Sequence, residues 1–559
     1  MQFSEEQQIA YELFKSGENM FLTGPGGTGK SAFIRYIQDE SFRKGRDIHV
    51  CAMTGCAAVM LECKAKTIHS WAGIGLCVDP IAKMVERVGR NRYAKAIWKA
   101  VDILVVDEVS MMSQKIFETL DAIGRHVRRN HRPFGGIQLL FTGDFYQLPP
   151  VFKNNNDPAA ILSEDEKKEG KFCFQSPLWL ETFPWENHIQ LIKIFRQTDQ
   201  VYQKILNQIR KGSLKQSSYR ILMEQIGKEP PKILGTQQAS EQQASEQQVA
   251  KKSNNESNEE SAKQIHYTFK PTKLYPTRNL AKMVNSAEMS NLQGEQHDFN
   301  IKKRYDLEMT KADKAQHMCF NKEQMDKELA YLQGNLLCEP IVHLKIGTQV
   351  MCLVNIRLNN GDMICNGSQG IVVRFEGAKE LPVVLYRRGN YEMTMDHHVW
   401  PSSNIPGIGI SQIPLIHAWA LTIHKSQGST LEMAEIDAGS GIFECGQTYV
   451  ALSRVKSLEG LYLSALDPSR IRINGAVKEF YEQMEANAVK RKRSASSDMF
   501  AEFAYDPVAV ATNEGNGKNG MVVAVAELIE TKVDETKNED LTNDDNVAVA
   551  VAVAVAIDV

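Results

Sequence analysis

The sequence predicts an α/β fold built on parallel sheets, and three observations predict it. Short apolar runs alternate with helix-like stretches through the first 150 residues, a glycine-rich turn joins the first of these runs to a helix, and the pattern returns near Thr272–Pro276 and again after Gln412. In order, NMFLTG reads as a strand, the turn GPGGTGKS follows, and a helix starts at about Ser31. DIHVCAM is the next strand, PIAKMVERVGRNRYAKAIWKA is helical, and DILVVDE is a third strand. After another helix comes IQLLFTGD, which ends in a polar corner before Pro149 and Pro150, a pair that can neither continue a strand nor sit inside a helix.

Between the two returns of the pattern the chain changes character. KIGTQVMCLVNIRL, NGSQGIVVRF and LPVVLYRRGNYEMTM are short β-branched runs separated by turn residues, as expected for a small barrel inserted into a second α/β domain. The stretch 233–263 carries a direct ASEQQ repeat and no apolar face, so it reads as a solvated loop. These shifts place a first α/β domain at 1–185, a second at 186–343 and 413–480, and the barrel at 344–412. A basic linker and an acidic disordered tail are expected over 481–559. The tail ends in NVAVAVAVAVAIDV, an alternating run with strand propensity and no partner strand in the sequence pattern.

With 559 residues, 43% hydrophobic and 24% charged, the chain has material for three or four packed domains. Charges interrupt the apolar stretches well before membrane-spanning length, and the opening MQFSEEQQIAYELF is acidic and helix-like rather than a targeting peptide, so a soluble intracellular protein with no membrane partner is expected. Ten cysteines without a CxxC pair fit reduced thiols. Residues 498–559 hold 13 acidic and three basic residues, a net charge of −10, which leaves +7 on residues 1–497 of the total of −3. That modest excess fits a nucleic-acid partner without establishing one.

Two motifs carry chemistry. GPGGTGKS, Gly24 to Ser31, satisfies G-x-x-x-x-G-K-[ST]: glycines let backbone N–H groups point at phosphate oxygens, Lys30 reaches the outer phosphates and Ser31 ligates magnesium. ILVVDEVSM is an apolar strand ending in two carboxylates. Asp107 is suited to hold Mg2+ through water, and Glu108, facing the other way, to accept a proton from the attacking water. ATP hydrolysis, beyond ATP binding, is the expectation.

FSEEQ, GPGGTGKS, DEVSM, GDFYQLPPV, IFRQ, AWALTIHKSQGSTLE and YVALSRV, in this order, resemble the motif series of the PIF-type helicases and their RecD-like relatives in superfamily 1. The likeness runs from Ser4 to about Ser464 and leaves out the low-complexity insert and the tail. It implies two RecA-like domains with ATP in the cleft between them, DNA across their upper surface, and an SH3-like subdomain at the position of the barrel. Carried over by position, Gln7 reads the adenine. Gly24, Pro25, Gly26, Gly27, Thr28, Gly29, Lys30 and Ser31, with Gly428, surround the phosphates. Gln147 senses the terminal phosphate, and Arg196 and Arg454 serve as arginine fingers.

For DNA, the resemblance points to Thr54, His69 and Trp71 in the first domain and to Thr422, His424, Lys425 and Ser426 in the second. Hydroxyl, imidazole and ammonium groups suit backbone phosphates, and an aromatic ring offers a stacking face. The implied activity is an ATP-dependent DNA helicase moving 5′ to 3′ on single-stranded DNA and unwinding duplex DNA, a monomeric motor in DNA replication, repair, recombination or telomere maintenance. Two alternatives stand beside it: a DNA-stimulated ATPase subunit of a recombination or end-processing complex, and a non-catalytic ATP-dependent DNA clamp. KRKR, Lys490 to Arg493, with a serine cluster after it, reads as a nuclear localisation signal. A basic helix end is the other reading. The alternatives to the nucleus are the cytoplasm or the mitochondrion, or a host cell for a viral source.

Overall fold

The computed structural model describes residues 3–61, 63–75, 77–151, 164–229, 269–358, 363–387, 391–402 and 405–488. The 233–263 insert, the KRKR segment and the acidic tail lie outside them.

The first sheet has six parallel strands: β1 (Met20–Thr23), β2 (Ile48–Ala52), β3 (Lys66–Thr67), β4 (Ile103–Asp107), β5 (Gln138–Gly143) and β6 (His188–Gln190), in the order β3-β2-β4-β5-β1-β6. Successive side chains alternate between its two faces. Met20, Leu22, Ile103, Val105 and Leu140 pack with Ala10, Phe14, Phe33 and Ile37 of the helices α1 (Glu5–Ser16) and α2 (Lys30–Arg43). Phe21, Leu104, Val106, Leu139 and Phe141 join the opposite core, around Trp98, Phe117 and Trp179. Every residue of β4 is buried, which is why its sequence is a continuous apolar run rather than an alternating one.

The expected helix through 80–100 is two helices, Ile81–Arg90 and Arg92–Ala100. Asn91 breaks it with an extended backbone, and its side chain accepts bonds from the N–H groups of Tyr93 and Ala94, capping the second helix.

Two boundaries of the first domain differ from expectation. β6 extends the first sheet past residue 185 by pairing with β1. Residues 475–488 are helical, and Val477, Phe480, Tyr481 and Met484 belong to the first domain's core, although 481 onward was expected to be a linker. Their spacing of i, i+3, i+4 and i+7 is that of one apolar helix face, so the chain returns from the second domain and docks on the first.

The second sheet is parallel and four-stranded, in the order Ala420–Thr422, Thr272–Tyr275, Ala434–Ala438 and Leu461–Leu466. The inserted β region forms a five-stranded antiparallel sheet with Tyr391–Thr394 and Leu415–His417 at its edges and Leu381–Tyr386, Gln369–Glu376 and Gln349–Cys352 between them. Leu415–His417 lies past the expected limit at 412, because it pairs with Gln349–Cys352. Val372 and Val384 face a core that the insert shares with Phe299 and Val342, whereas Ile371, Val373, Val383 and Leu385 pack on Met433 and Tyr462 of the second domain. With both faces covered, the insert is seated on that domain.

Candidate nucleotide cleft and nucleic-acid face

The turn from β1 into α2 is shaped by glycines at two positions where a side chain would be strained and would clash. Gly24 has φ +141°, and a Cβ there would lie 2.5 Å from the Leu191 carbonyl oxygen. Gly27 has φ +86°, and a Cβ there would fall 2.4 Å from the Arg196 Cβ. The segment 191–196 lies directly over the loop, tied to it by Leu191 N–H to the Thr23 carbonyl at 2.8 Å and Phe195 N–H to the Gly27 carbonyl at 2.8 Å. Arg196 is therefore placed by main-chain bonds on the loop it is expected to serve.

Lys30 opens α2 and donates to the carbonyls of Gly24 at 2.7 Å and Pro25 at 3.0 Å. Burial lowers its pKa, opposed by the carboxylates of Asp144, Glu108 and Asp107. Thr28 is buried and donates to the Pro25 carbonyl. Pro25 and Gly24 thus act through their carbonyls. Gly26 to Ser31 line a cleft of about 470 Å³ together with Gln7, Asp107, Glu108, Gln147, Arg196, Gly428 and Arg454.

Gln7 is fixed by a capping box at the start of α1. Its Oε1 accepts from Ser4 N–H at 3.1 Å, and its own N–H donates to the Ser4 hydroxyl. Its Nε2 is buried with no partner among the described residues and lies 2.9 Å from where a Cβ on Gly29 would stand. A buried, unsatisfied donor beside the loop is what reading an acceptor on a base requires.

At the end of β4, Asp107 accepts on Oδ1 from the Thr142 hydroxyl and from Glu108 N–H. Burial raises its pKa, against those two hydrogen bonds. Glu108 has φ +57°, a left-handed conformation uncommon for a residue with a side chain. Burial, and then the Asp107 charge, push its pKa up to about 7, while Gln427 hydrogen-bonds its carboxylate. A carboxyl poised near neutrality suits a general base. Gln147 is 5% exposed, and its Oε1 accepts from Gln427 Nε2 at 3.5 Å.

Of the two arginines, Arg196 comes from the segment after β6 and Arg454 from the second domain. Arg454 follows the helix Gln447–Leu452 and is fully enclosed, donating through Nε to the Val450 carbonyl at 2.9 Å and through Nη2 to the Ser453 hydroxyl at 2.8 Å. Burial and the neighbouring Arg196 lower its pKa to about 9. Arg196 donates to the carbonyls of Ser453 and Gly428. Beyond burial, the Arg196 charge loosens the hold of Arg454 on its proton, while Glu108 is the carboxylate that acts on both guanidiniums, an arrangement that favours an added anion such as the terminal phosphate of a nucleotide.

The nucleic-acid candidates divide. Trp71 is 2% exposed, packs on Trp98 with ring centroids 4.7 Å apart, and donates its indole N–H to His49 Nδ1 at 2.6 Å; it is core, and the expectation of a stacking face is corrected. Ser426 is fully buried and donates to the Ile423 carbonyl, so its hydroxyl is not offered to DNA either. The Thr422 hydroxyl is buried and accepts from Lys425 N–H, shaping the turn rather than presenting itself. Thr54 is half-buried and caps a short helix by accepting from Ala57 N–H. His69 is half-buried, Lys425 partly exposed and His424 exposed.

A family model described as PIF1-like helicase matches residues 2–220, and one described as the 2B domain of DNA helicase Pif1 matches residues 329–375. The ATP-dependent DNA helicase PIF1 of Emericella nidulans is 31% identical over 86% of this chain and 63% of its own length. The ATP-dependent DNA helicase RRM3 of Saccharomyces cerevisiae is 30% identical over 86% of this chain and 67% of its own. The chain belongs to the PIF1-like helicases. It spans 63% of the length of the first of these relatives. Among solved structures, Pif1 helicase from Candida albicans aligns with a TM-score of 0.61 and 29% identity, covering 87% of this chain and 100% of that one.

Several residues of this PIF1-like helicase went unread in the sequence. Asp144, in GDFYQLPP, is fully buried and accepts from Arg210 Nε at 2.9 Å and Nη2 at 2.8 Å, and Tyr481 of the returning helix donates to it at 3.3 Å. The Arg210 guanidinium also lies 4.5 Å from the ring centroid of Tyr146, which stacks on Tyr481. Leu148, one residue after Gln147, packs in the second domain's core. The corner carrying Gln147 is therefore gripped from both domains. Asn355 and Asn366 of the insert also line the cleft. Lone Arg, Tyr and Asn residues far apart in sequence give no local signal of this. The apolar spacing through Tyr481 was the one cue available.

Proposed function

We propose that this protein is an ATP-dependent DNA helicase that translocates 5′ to 3′ on single-stranded DNA and unwinds duplex DNA. The observation that carries the reading is the convergence on one cleft of a phosphate loop, two carboxylates and Gln147 from one parallel-sheet domain with Arg196, laid over the loop, and Arg454 from the second domain. Binding requires only the loop. The paired carboxylates and enclosed guanidiniums are arranged for turnover, which disfavours a clamp that merely holds ATP.

The loop N–H groups from Gly27 onward and Lys30 hold the phosphates, Glu108 takes a proton from the attacking water, and the two arginines compensate the charge that develops on the transferred phosphoryl group. Ser31 and Asp107 both line the cleft and offer a hydroxyl and a carboxylate, an all-oxygen set that suits Mg2+. When bound, Mg2+ neutralises phosphate charge. Gln147 and Gln427 meet across the cleft, and Gln427 belongs to the same turn as His424 and Lys425. A change at the terminal phosphate thereby reaches groups suited to a DNA backbone, and the two domains alternate their grip as the cleft closes and opens. Mg2+, duplex and single-stranded DNA, a monomeric motor and a nuclear location belong to the same proposal, together with a role in DNA replication, repair or recombination.

The test is strand displacement by the purified chain on duplexes carrying either a 5′ or a 3′ single-stranded tail, with Lys30→Ala as the control. Unwinding from the 5′ tail alone, lost in the control, is the expected result. DNA-stimulated ATPase without displacement on either substrate would instead favour a motor subunit of a larger complex.

A further inference from the structure

The second domain meets the phosphate loop at one glycine that its backbone does not require. Unlike Gly24, Gly27 and Gly29, Gly26 has no left-handed φ, and a Cβ on it would make only ordinary contacts: 3.5 Å to Arg196 Nη1, 3.7 Å to Arg454 Nη2 and 3.8 Å to the Ser453 hydroxyl. Arg454 and Ser453 belong to the second domain, and Arg196 to the segment that lies over the loop. The N–H of the same glycine donates to the hydroxyl of Tyr449 at 3.0 Å. Tyr449 is 2% exposed and lies in the helix Gln447–Leu452, five residues before Arg454.

Arg454 has no freedom of its own. Its Nε is tied to the Val450 carbonyl and its Nη2 to the Ser453 hydroxyl, which in turn donates to the Val450 carbonyl at 3.0 Å. Its guanidinium goes where its helix goes. That helix touches the loop through the Tyr449 hydroxyl.

We propose that Tyr449 is a positioning residue for phosphoryl transfer: its hydroxyl, seated on the Gly26 N–H, sets the Arg454 helix against the phosphate loop, and Gly26 lacks a side chain so that both guanidiniums face the terminal phosphate. The inference rests on the ATPase reading above. The competing account is that Tyr449 is a core residue whose hydroxyl merely finds a buried partner. Its ring does sit in the second domain's core, so the hydroxyl and the ring must be tested apart.

Tyr449→Phe keeps the ring and removes the bond. In steady-state ATPase assays of the full chain with saturating single-stranded DNA, kcat should fall about five- to tenfold while the KM for ATP stays within about twofold, as for an interaction felt mainly in the transition state. An unchanged kcat in a folded Tyr449→Phe protein would overturn the proposal. Gly26→Ala provides an independent arm, since its methyl fits without backbone strain yet stands between the arginines and the phosphate. At ATP concentrations that saturate the variant it should lose at least tenfold in kcat; wild-type turnover overturns the proposal. Lys30→Ala, run beside them, separates the two levels: full ATP turnover there would refute the nucleotide site itself, whereas loss there with normal Tyr449→Phe and Gly26→Ala enzymes would refute only the role of Tyr449.

Discussion

The loop Gly24–Ser31 and the turn Thr422–Gly428 face the same cleft and use their side chains in opposite ways. In the loop, recognition is assigned to the backbone, and Lys30 and Thr28 fold back on the carbonyls of Gly24 and Pro25. In the turn, Thr422 and Ser426 are consumed in holding its shape, which leaves His424 and Lys425 outward and Gln427 toward Glu108 and Gln147. A backbone site announces itself through glycine spacing. A side-chain site depends on which groups the scaffold has already used.

The largest effect should come from the residue between these two regions. Gln147→Ala should still bind ATP, through the loop and Lys30, and still bind DNA. DNA stimulation of its ATPase should fall by roughly tenfold or more, and unwinding should be lost with it, because only an interaction that differs between nucleotide states can shift the domain equilibrium. Normal unwinding by the folded variant would show that the loop and the turn do not communicate through Gln147.

Trp71 tests the first domain's share of the nucleic-acid face. Trp71→Leu removes an enclosed ring and its bond to His49, so it should cost about 2–3 kcal/mol in denaturant unfolding and leave single-strand affinity within about twofold. If the ring stacked on a base, affinity would drop by about 1–3 kcal/mol instead.

Lys425→Ala should act the other way, with little change in stability, a few-fold weaker DNA binding, and a salt dependence reduced by about one unit of slope, the signature of one lost phosphate contact. A salt slope identical to wild type would remove Lys425 from the face. The smallest effect is expected from deleting residues 498–559. Removing their net charge of −10 should leave ATPase unchanged and modestly strengthen DNA binding at low salt, an effect that disappears at high salt. Loss of ATPase on truncation would contradict this.

Much of the nucleotide site could be read from contiguous residues because its chemistry is local. A strand, a strained glycine turn and a helix N-terminus specify a phosphate cradle wherever they occur, and DE at the end of an enclosed strand specifies where two carboxylates lie. The two parallel sheets and the antiparallel insert were legible for the same reason, since strand periodicity belongs to each short segment. What packing alone settled was the fate of individual side chains: Trp71 and Ser426 enclosed rather than presented, Arg210 and Tyr481 converging on Asp144, Tyr449 seated on Gly26. Each of these depends on residues tens to hundreds of positions apart meeting in space. A hydroxyl or a ring has the same chemistry in either place, and whether a neighbouring carbonyl, carboxylate or aromatic has already engaged it is a property of the folded chain.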